Sequence, residues 1–358
     1  MTRFIVRRLL VTIPVLFGLV FIVFALARLV PGDPCRAVLG ERATDAVCND
    51  FIRRYGLDQP IPAQFGIYLD QLASGDLGVS IKHSRPVTTL LIERLPTTVE
   101  LTLWALTFAI AVGIPLGLAS AVRRNSPVDV GAMVVANLGV SMPVFVLGLL
   151  LQFVFALLLK ESPLSLPASG RLSAGIEVVP LAEVWGMTGV TGVPRGILDF
   201  FSGIYTFSAL VSGQWAAWLD AVRHLILPAI ALGTIPLAII ARITRSSLLE
   251  VLGLDYVRTA RAKGLRERTV VIRHATRNAL LPVVTIIGLQ LGGLFAGAVL
   301  TESTFNLAGV GRTLFEAITG RDYVVIQGFI LIVAVAYVLV NLLVDISYTY
   351  LDPRIRSR

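Results

Sequence analysis

The residues whose types and spacing could do work are concentrated in one stretch, "SSLLEVLGLDYVRTARAKGLRERTVVIRHATRNALLP", from Ser246 to Pro282. Asp255 is placed to N-cap a short helix from Tyr256 to Lys263, because its carboxylate can accept from the first free backbone amides. Lys263 puts a cation in the last turn, where it meets the negative end of the helix dipole. Gly264 follows as a C-terminal stop, since glycine enters the left-handed backbone region without strain. A second amphipathic helix is expected to run towards Asn278 before Pro282 opens an apolar segment. Ala260 and Ala262 are small enough for close docking. Arg261 and its basic neighbours fit a docking surface, and a solvated loop or an anionic-lipid contact would use the same composition.

Bond-making chemistry has no comparable cluster. A phosphate-binding loop needs GxxxxGK[ST]; "AGVGRT", Ala308 to Thr313, lacks the lysine and reads as a turn. No nucleophile elbow and no HExxH zinc motif occurs. His83, His224 and His274 are far apart, and two cysteines are too few for a four-thiolate site. Catalytic, cofactor and metal sites are therefore all expected to be absent. Cys35 and Cys48 are expected outside the membrane, either bonded to each other in an oxidising compartment or as two thiols.

Acidic or histidine residues at membrane depth would mark an ion-coupled carrier, because a proton or sodium ion needs a ligand there. The apolar segments are almost free of charge. Glu100, Arg242 and Asp345 sit near segment ends, where snorkelling to the interface explains them. Gln152, Gln290 and Asn341 remain as pathway candidates or interhelical hydrogen-bonding groups. The energy source is expected outside the chain.

The elements that must hold this stretch follow from composition. Of 358 residues 55% are hydrophobic and 15% charged, against roughly 25% charged in soluble domains. The apolar residues form six runs: Leu9 to Leu29, Val99 to Ala121, Met133 to Leu159, Leu225 to Ile243, Ala279 to Leu300 and Val324 to Ser347. Each is long enough to cross a hydrocarbon core of roughly 30 Å as a helix, and lipid leaves the backbone no other open form. An all-α integral membrane protein with six transmembrane helices is expected. Pro115, Pro143, Pro228 and Pro236 should kink their helices. Gly113 with Gly117, and Gly288, Gly292, Gly293 and Gly297, suit close helix contacts, either lining a pathway or packing generically.

The net charge of +8 has a topological reading rather than a nucleic-acid one. Arg3, Arg7 and Arg8, then Arg123 and Arg124, then the loop from Arg245 to Arg277, then Arg354, Arg356 and Arg358 all fall on one side of six spans. That side is cytoplasmic by the positive-inside rule. The first span exceeds a signal-peptide core and is expected to be retained. Ile197 to Leu219 is apolar enough for a seventh span, but it would break the charge pattern. Asp199, Trp215 and Trp218 suit a helix at the membrane surface. The chain then divides into 1–96, a first helix with a long extracytoplasmic loop; 97–348, a core with an extracytoplasmic insertion at 160–224 and a cytoplasmic loop at 244–278; and 349–358, a basic cytoplasmic tail.

The loop resembles the EAA loop of ABC-importer permeases, EAA, three residues, Gly, then a later I-x-L-P. In "RTARAKG", Arg258 and Thr259 stand where Glu and the first Ala are expected; Ala260, Gly264, Leu281 and Pro282 match. "RLVPGDP", "GDLGVSI", "RHLILPAIALG" and "LVDISYTYLDPRIR" are similar to segments of the dipeptide, oligopeptide and nickel permease family and cover nearly the whole chain. The resemblance implies a type I importer permease fold in a bacterial inner membrane. It also implies a homologous second permease, two cytoplasmic ATPases carrying ATP and magnesium, and an extracytoplasmic solute-binding protein. Asp255, Tyr256, Ala260, Arg261, Lys263 and Gly264 would then couple to the ATPase, with Arg261 either facing it or solvated. The chain itself would be no enzyme, and its solute a peptide, a nickel chelate or a related small molecule.

Overall fold

The computed structural model describes residues 2–29, 35–36, 40, 42–54 and 56–351. "RLVPGDP" lies largely outside the described residues, as do tail residues 352–358 with Arg354, Arg356 and Arg358, and so do the side chains of Arg3, Arg7, Arg8 and Asp345. Among the described residues the protein is helical, with one isolated bridge between Val79 and Pro86 and no strand. The first three helices are α1 (Thr2–Leu29), α2 (Asp45–Arg54) and α3 (Ile61–Ala73), followed by α4 (Val87–Val122), α5 (Pro127–Ser141) and α6 (Val144–Gln152). Then come α7 (Leu181–Val184), α8 (Val193–Gly203), α9 (Tyr205–Val211), α10 (Trp215–Leu252) and α11 (Asp255–Ala262). The chain continues with α12 (Glu267–Thr304), α13 (Val310–Thr319) and α14 (Tyr323–Leu351).

Helices α4, α10, α12 and α14 are each long and apolar enough to cross a membrane. Helices α5 and α6, the latter extended by a π-helical turn over Phe153–Leu158, make a fifth span only as a bent pair. The 28-residue α1, apolar over Leu10–Ala25, supplies the sixth apolar helix.

The run from Met133 to Leu159 is therefore not one helix. It breaks by 105° between Ser141 and Val144, where Met142 is extended (φ −96°, ψ 130°) ahead of Pro143. The proline ring disfavours helical backbone in the residue before it. Pro115, Pro228 and Pro236 do not interrupt their helices; lost backbone bonds are tolerated in spans because neighbouring groups satisfy the freed carbonyls. Pro282 likewise sits inside α12 instead of opening it, so the expected second loop helix and the fifth span are one rod with a π-helical turn at Val270–Ala275. The apolar stretch from Ile197 to Leu219 is divided among α8, α9 and the start of α10, with Gly213 at φ +71° between the last two. Neither α8 nor α9, of 11 and 7 residues, reaches the length of a crossing.

The core is α4 packed alongside α10, with α12 antiparallel to both. Leu101 and Ala105 of α4 meet Leu227, Ala231 and Leu232 of α10 and Leu294 and Ala298 of α12 in one buried cluster. Ala109, Leu237, Ile240 and Val283 form the next layer. Close approach depends on glycine: a Cβ on Gly117 would lie 2.5 Å from the Ala241 carbonyl oxygen, and one on Gly113 3.0 Å from that of Leu237. Helix α14 closes over α4 and α13 through Phe329 and Val325.

Candidate coupling site

The segment from Ser246 to Pro282 forms a helix, a sharp bend and a second helix at one end of the core. Helix α11 begins at Asp255, with Leu254 as the extended flanking residue (φ −75°, ψ 150°) and no side-chain cap. Asp255 is thus the first helical residue and not the N-cap. There it still favours the positive end of the helix dipole, and Arg258 approaches it at 3.5 Å. The helix ends at Ala262, one residue before Lys263. Gly264 has φ +75°, and its amide donates to the Arg261 carbonyl at 2.9 Å. No atom lies within 4 Å of a Cβ at Gly264, so the backbone conformation alone demands glycine there.

One face of α11 is anchored. Val257 and Ala260 are buried with Ala121 of α4, Leu248 and Val251 of α10, and Val270, Val271, Ala275 and Ala279 of α12. Burying the valine side chain contributes roughly 1.5–3 kcal/mol. The Tyr256 hydroxyl accepts from Asn278 Nδ2 at 2.8 Å and donates to the His274 carbonyl at 3.4 Å. Ser247 Oγ ties α10 to the Ala279 carbonyl at 2.9 Å. Arg258, Lys263, Arg266 and Arg268 remain exposed on the outer face, with Leu254 and Leu265.

Arg261 is exposed on this face and is also paired within the chain. Its Nε and terminal nitrogen donate to the Glu267 carboxylate at 3.0 and 2.7 Å, bridging the bend from α11 to the first residue of α12. Those hydrogen bonds, and secondarily the charge of Glu267, raise the Arg261 guanidinium above its ordinary value. The fork geometry favours one angle between the helices more than a point charge would, although the exposed pair contributes only about 0–1 kcal/mol.

The spans hold more charge than hydropathy reveals. Asp129, 4% exposed, accepts from Arg245 Nε at 2.7 Å and a terminal nitrogen at 2.8 Å, from the Asn125 amide at 2.9 Å, and from Ser120 Oγ. Ser126 caps α5 by accepting from the Asp129 amide. Ser126 and Asp129 match the capping-box spacing with a carboxylate in the third place, a signal that could have located this helix start.

At the opposite end of the core Glu100 does not snorkel. It is buried, accepting from Arg171 at 2.5 Å and from the amide and hydroxyl of Thr206 at 2.6 and 2.7 Å. Glu302, fully buried, accepts from Thr98 Oγ1 at 2.6 Å and from the Arg312 amide at 2.9 Å. The glycine string at Ala308 to Thr313 that superficially resembles a phosphate loop thus cradles the chain's own carboxylate. Gln152 bonds the carbonyls of Ala168 and Thr304 at 2.8 and 3.0 Å, an interhelical role. Cys35 and Cys48 are joined by a disulfide beside Phe51 and Ile81, at the end remote from α11.

Comparison with known proteins decides the family. Residues 113–357 match the binding-protein-dependent transport system inner membrane component family, and residues 1–102 match its N-terminal component. The chain belongs to this family. It is 45% identical, over 99% of its length and all of the relative's, to a dipeptide transport system permease protein of Alkalihalophilus pseudofirmus. It is also 45% identical to a di/tripeptide transport system permease protein of Pseudomonas aeruginosa, both chains being fully covered. The glutathione transport system permease protein of Pectobacterium atrosepticum is 37% identical, again over both full chains. The protein is a multi-pass permease subunit of an ABC importer; it is not an enzyme, and ATP hydrolysis belongs to separate subunits.

Proposed function

We propose that this permease imports di- or oligopeptides and that α11 with its Gly264 bend is the surface through which a cytoplasmic ATPase drives it. The printed specificities of its relatives, dipeptides, di/tripeptides and glutathione, support the peptide class. The bend supports the coupling role: a short helix with an exposed basic face is held to α10 and α12 by buried Val257 and Ala260 and pinned by Arg261 and Glu267. Force applied to α11 passes directly into α12, because the second arm of the bend and the fifth span are one helix. The working unit is this chain with a homologous second permease, two ATPases binding ATP and magnesium, and an extracytoplasmic binding protein that delivers cargo. Both termini and α11 lie in the cytoplasm, and the disulfide fits the oxidising side.

The test is ATP-dependent peptide uptake by the reconstituted complex. Gly264→Val forces a β-branched residue into the left-handed region, at a strain of about 1–2 kcal/mol, and uptake is expected to fall about tenfold with membrane insertion intact. Gly264→Asn, which tolerates that backbone, is expected to retain most of the activity. Parental uptake by Gly264→Val in an intact complex would falsify the coupling role.

A further inference from the structure

The cluster around Asp129 lies outside the α11 bend, and among the described residues it is the most densely bonded ionic contact at that end of the core. It joins three elements: Ser120 is on α4, Asp129 on α5 and Arg245 on α10, and the Asn125 amide adds the turn between α4 and α5. Asn125 itself has φ +61°, so the turn is held in one conformation by the carboxylate it donates to. Arg245 lies only two helical turns before the end of α10, where Leu248 and Val251 receive Val257 of α11. Beyond Asp129, α5 leads to the 105° break at Met142 and Pro143.

We propose that Asp129 and Arg245 are positioning residues for transport: they clasp the α4–α5 turn to α10, so that displacement of α11 reaches the broken third span as a rigid movement. Without the clasp α10 and α12 would still follow α11, but α5 would be held by packing without an ionic tie, against α10, where Gly139 faces Thr234, and against α4. A bidentate guanidinium–carboxylate pair resists both sliding and rotation, and its carboxylate half is buried while Arg245 is partly exposed. The inference rests on the coupling reading above.

The experiment uses the whole reconstituted importer with cysteine-free partner subunits. This chain has two cysteines, both in the disulfide, so labels can be placed at exposed positions on either side of the clasp as Arg124→Cys and Glu250→Cys. Electron spin resonance then measures their separation without nucleotide and with ATP trapped. The expected parental result is one narrow distance, the same in both states. Asp129→Asn should broaden or shift it on ATP binding while hydrolysis continues, and peptide moved per ATP should fall about tenfold, a size usual for coupling between sites. Arg245→Lys, which keeps the charge but not the fork, should give a smaller loss of the same kind. If Asp129→Asn fails to assemble, Ser120→Ala removes one bond and is read by the same distance and ratio. A parental distance that changes with nucleotide overturns the proposal, as does an Asp129→Asn complex with parental distance and parental uptake per ATP. Failure of the coupling reading looks different: Gly264→Val would then transport normally while the clasp distance stayed fixed.

Discussion

The Arg171 guanidinium is the charged tie among several hydrogen bonds that fasten the insertion between α6 and α10 to the core. Arg171 donates to Glu100 of α4 and, at 2.6 Å, to the Gly203 carbonyl at the end of α8, while its guanidinium carbon lies 3.6 Å above the Tyr205 ring. The pair is buried, with side-chain exposures of 14% for Arg171 and 2% for Glu100. Removing one charge leaves the other without compensation in a poor solvent for ions, a change that costs roughly 3–5 kcal/mol at buried pairs. Glu100→Gln is close to isosteric and can keep hydrogen bonds to Thr206, so its effect isolates the charge. The thermal midpoint of the variant in detergent is expected to fall by several degrees. Arg171→Lys should be nearly as damaging, because a lysine cannot reach Glu100 and Gly203 in one plane or stack on Tyr205 in the same way. An unchanged midpoint for both would mean that the ion pair adds nothing to the packing and the other hydrogen bonds that hold the insertion.

Among elements, α4 against α10 is the contact on which the core depends. Both helices are long, and they approach closely only where one lacks a side chain. Gly117→Val would drive a branched carbon into the Ala241 carbonyl and Thr244, backbone and buried side chain that cannot swing away, and the helices must part. In contrast, a Cβ at Gly131 in α5 would meet nothing within 4 Å of this chain, and Gly131→Ala gains about 0.5–1 kcal/mol of helix propensity. Gly117→Val is expected to abolish recovery of folded permease from the membrane and Gly131→Ala to leave it unchanged or raised; gel-filtration yield measures both.

The same comparison explains what could be read from sequence. Gly113 and Gly117 marked a close contact by spacing, and the apolar runs located the spans, because lipid imposes both signals locally. Four prolines looked alike, yet only Pro143 breaks its helix: Met142 before it is extended, while Pro115, Pro228 and Pro236 stay inside continuous helices. Hydropathy stopped the fifth run at Leu300 and so passed over Glu302, whose partners Thr98 and the Arg312 amide come beside it only after folding. Gly264 was legible because a left-handed residue after a short helix is a local requirement. The Arg261–Glu267 pin was missed because it depends on the bend that Gly264 creates.

Across the whole molecule, charge separates along the core axis. The end carrying α11 presents Arg123, Arg124, Arg258, Lys263, Arg266, Arg268, Arg273 and Arg277 as exposed cations. The opposite end, with the disulfide, mixes both signs: exposed Arg53, Lys82, Arg85, Lys160 and Arg321 stand among Asp45, Glu161 and Glu177, so the unbalanced positive charge lies at the α11 end. Basic residues resist translocation far more than acidic ones promote it, so the α11 end is expected in the cytoplasm. Because both native thiols are bonded, single cysteines report sidedness without background from this chain. Glu177→Cys in cells with a permeabilised outer envelope and an intact inner membrane should react with a membrane-impermeant maleimide. Arg266→Cys should react only after the inner membrane is opened. Equal labelling of both in intact cells would contradict the six-crossing arrangement, and exclusive labelling of Arg266→Cys would invert it. Inversion would put the bend proposed to meet the ATPase where there is no ATP and the disulfide where thiols are kept reduced, so one labelling experiment tests the proposed coupling surface and the redox placement of Cys35 and Cys48 together.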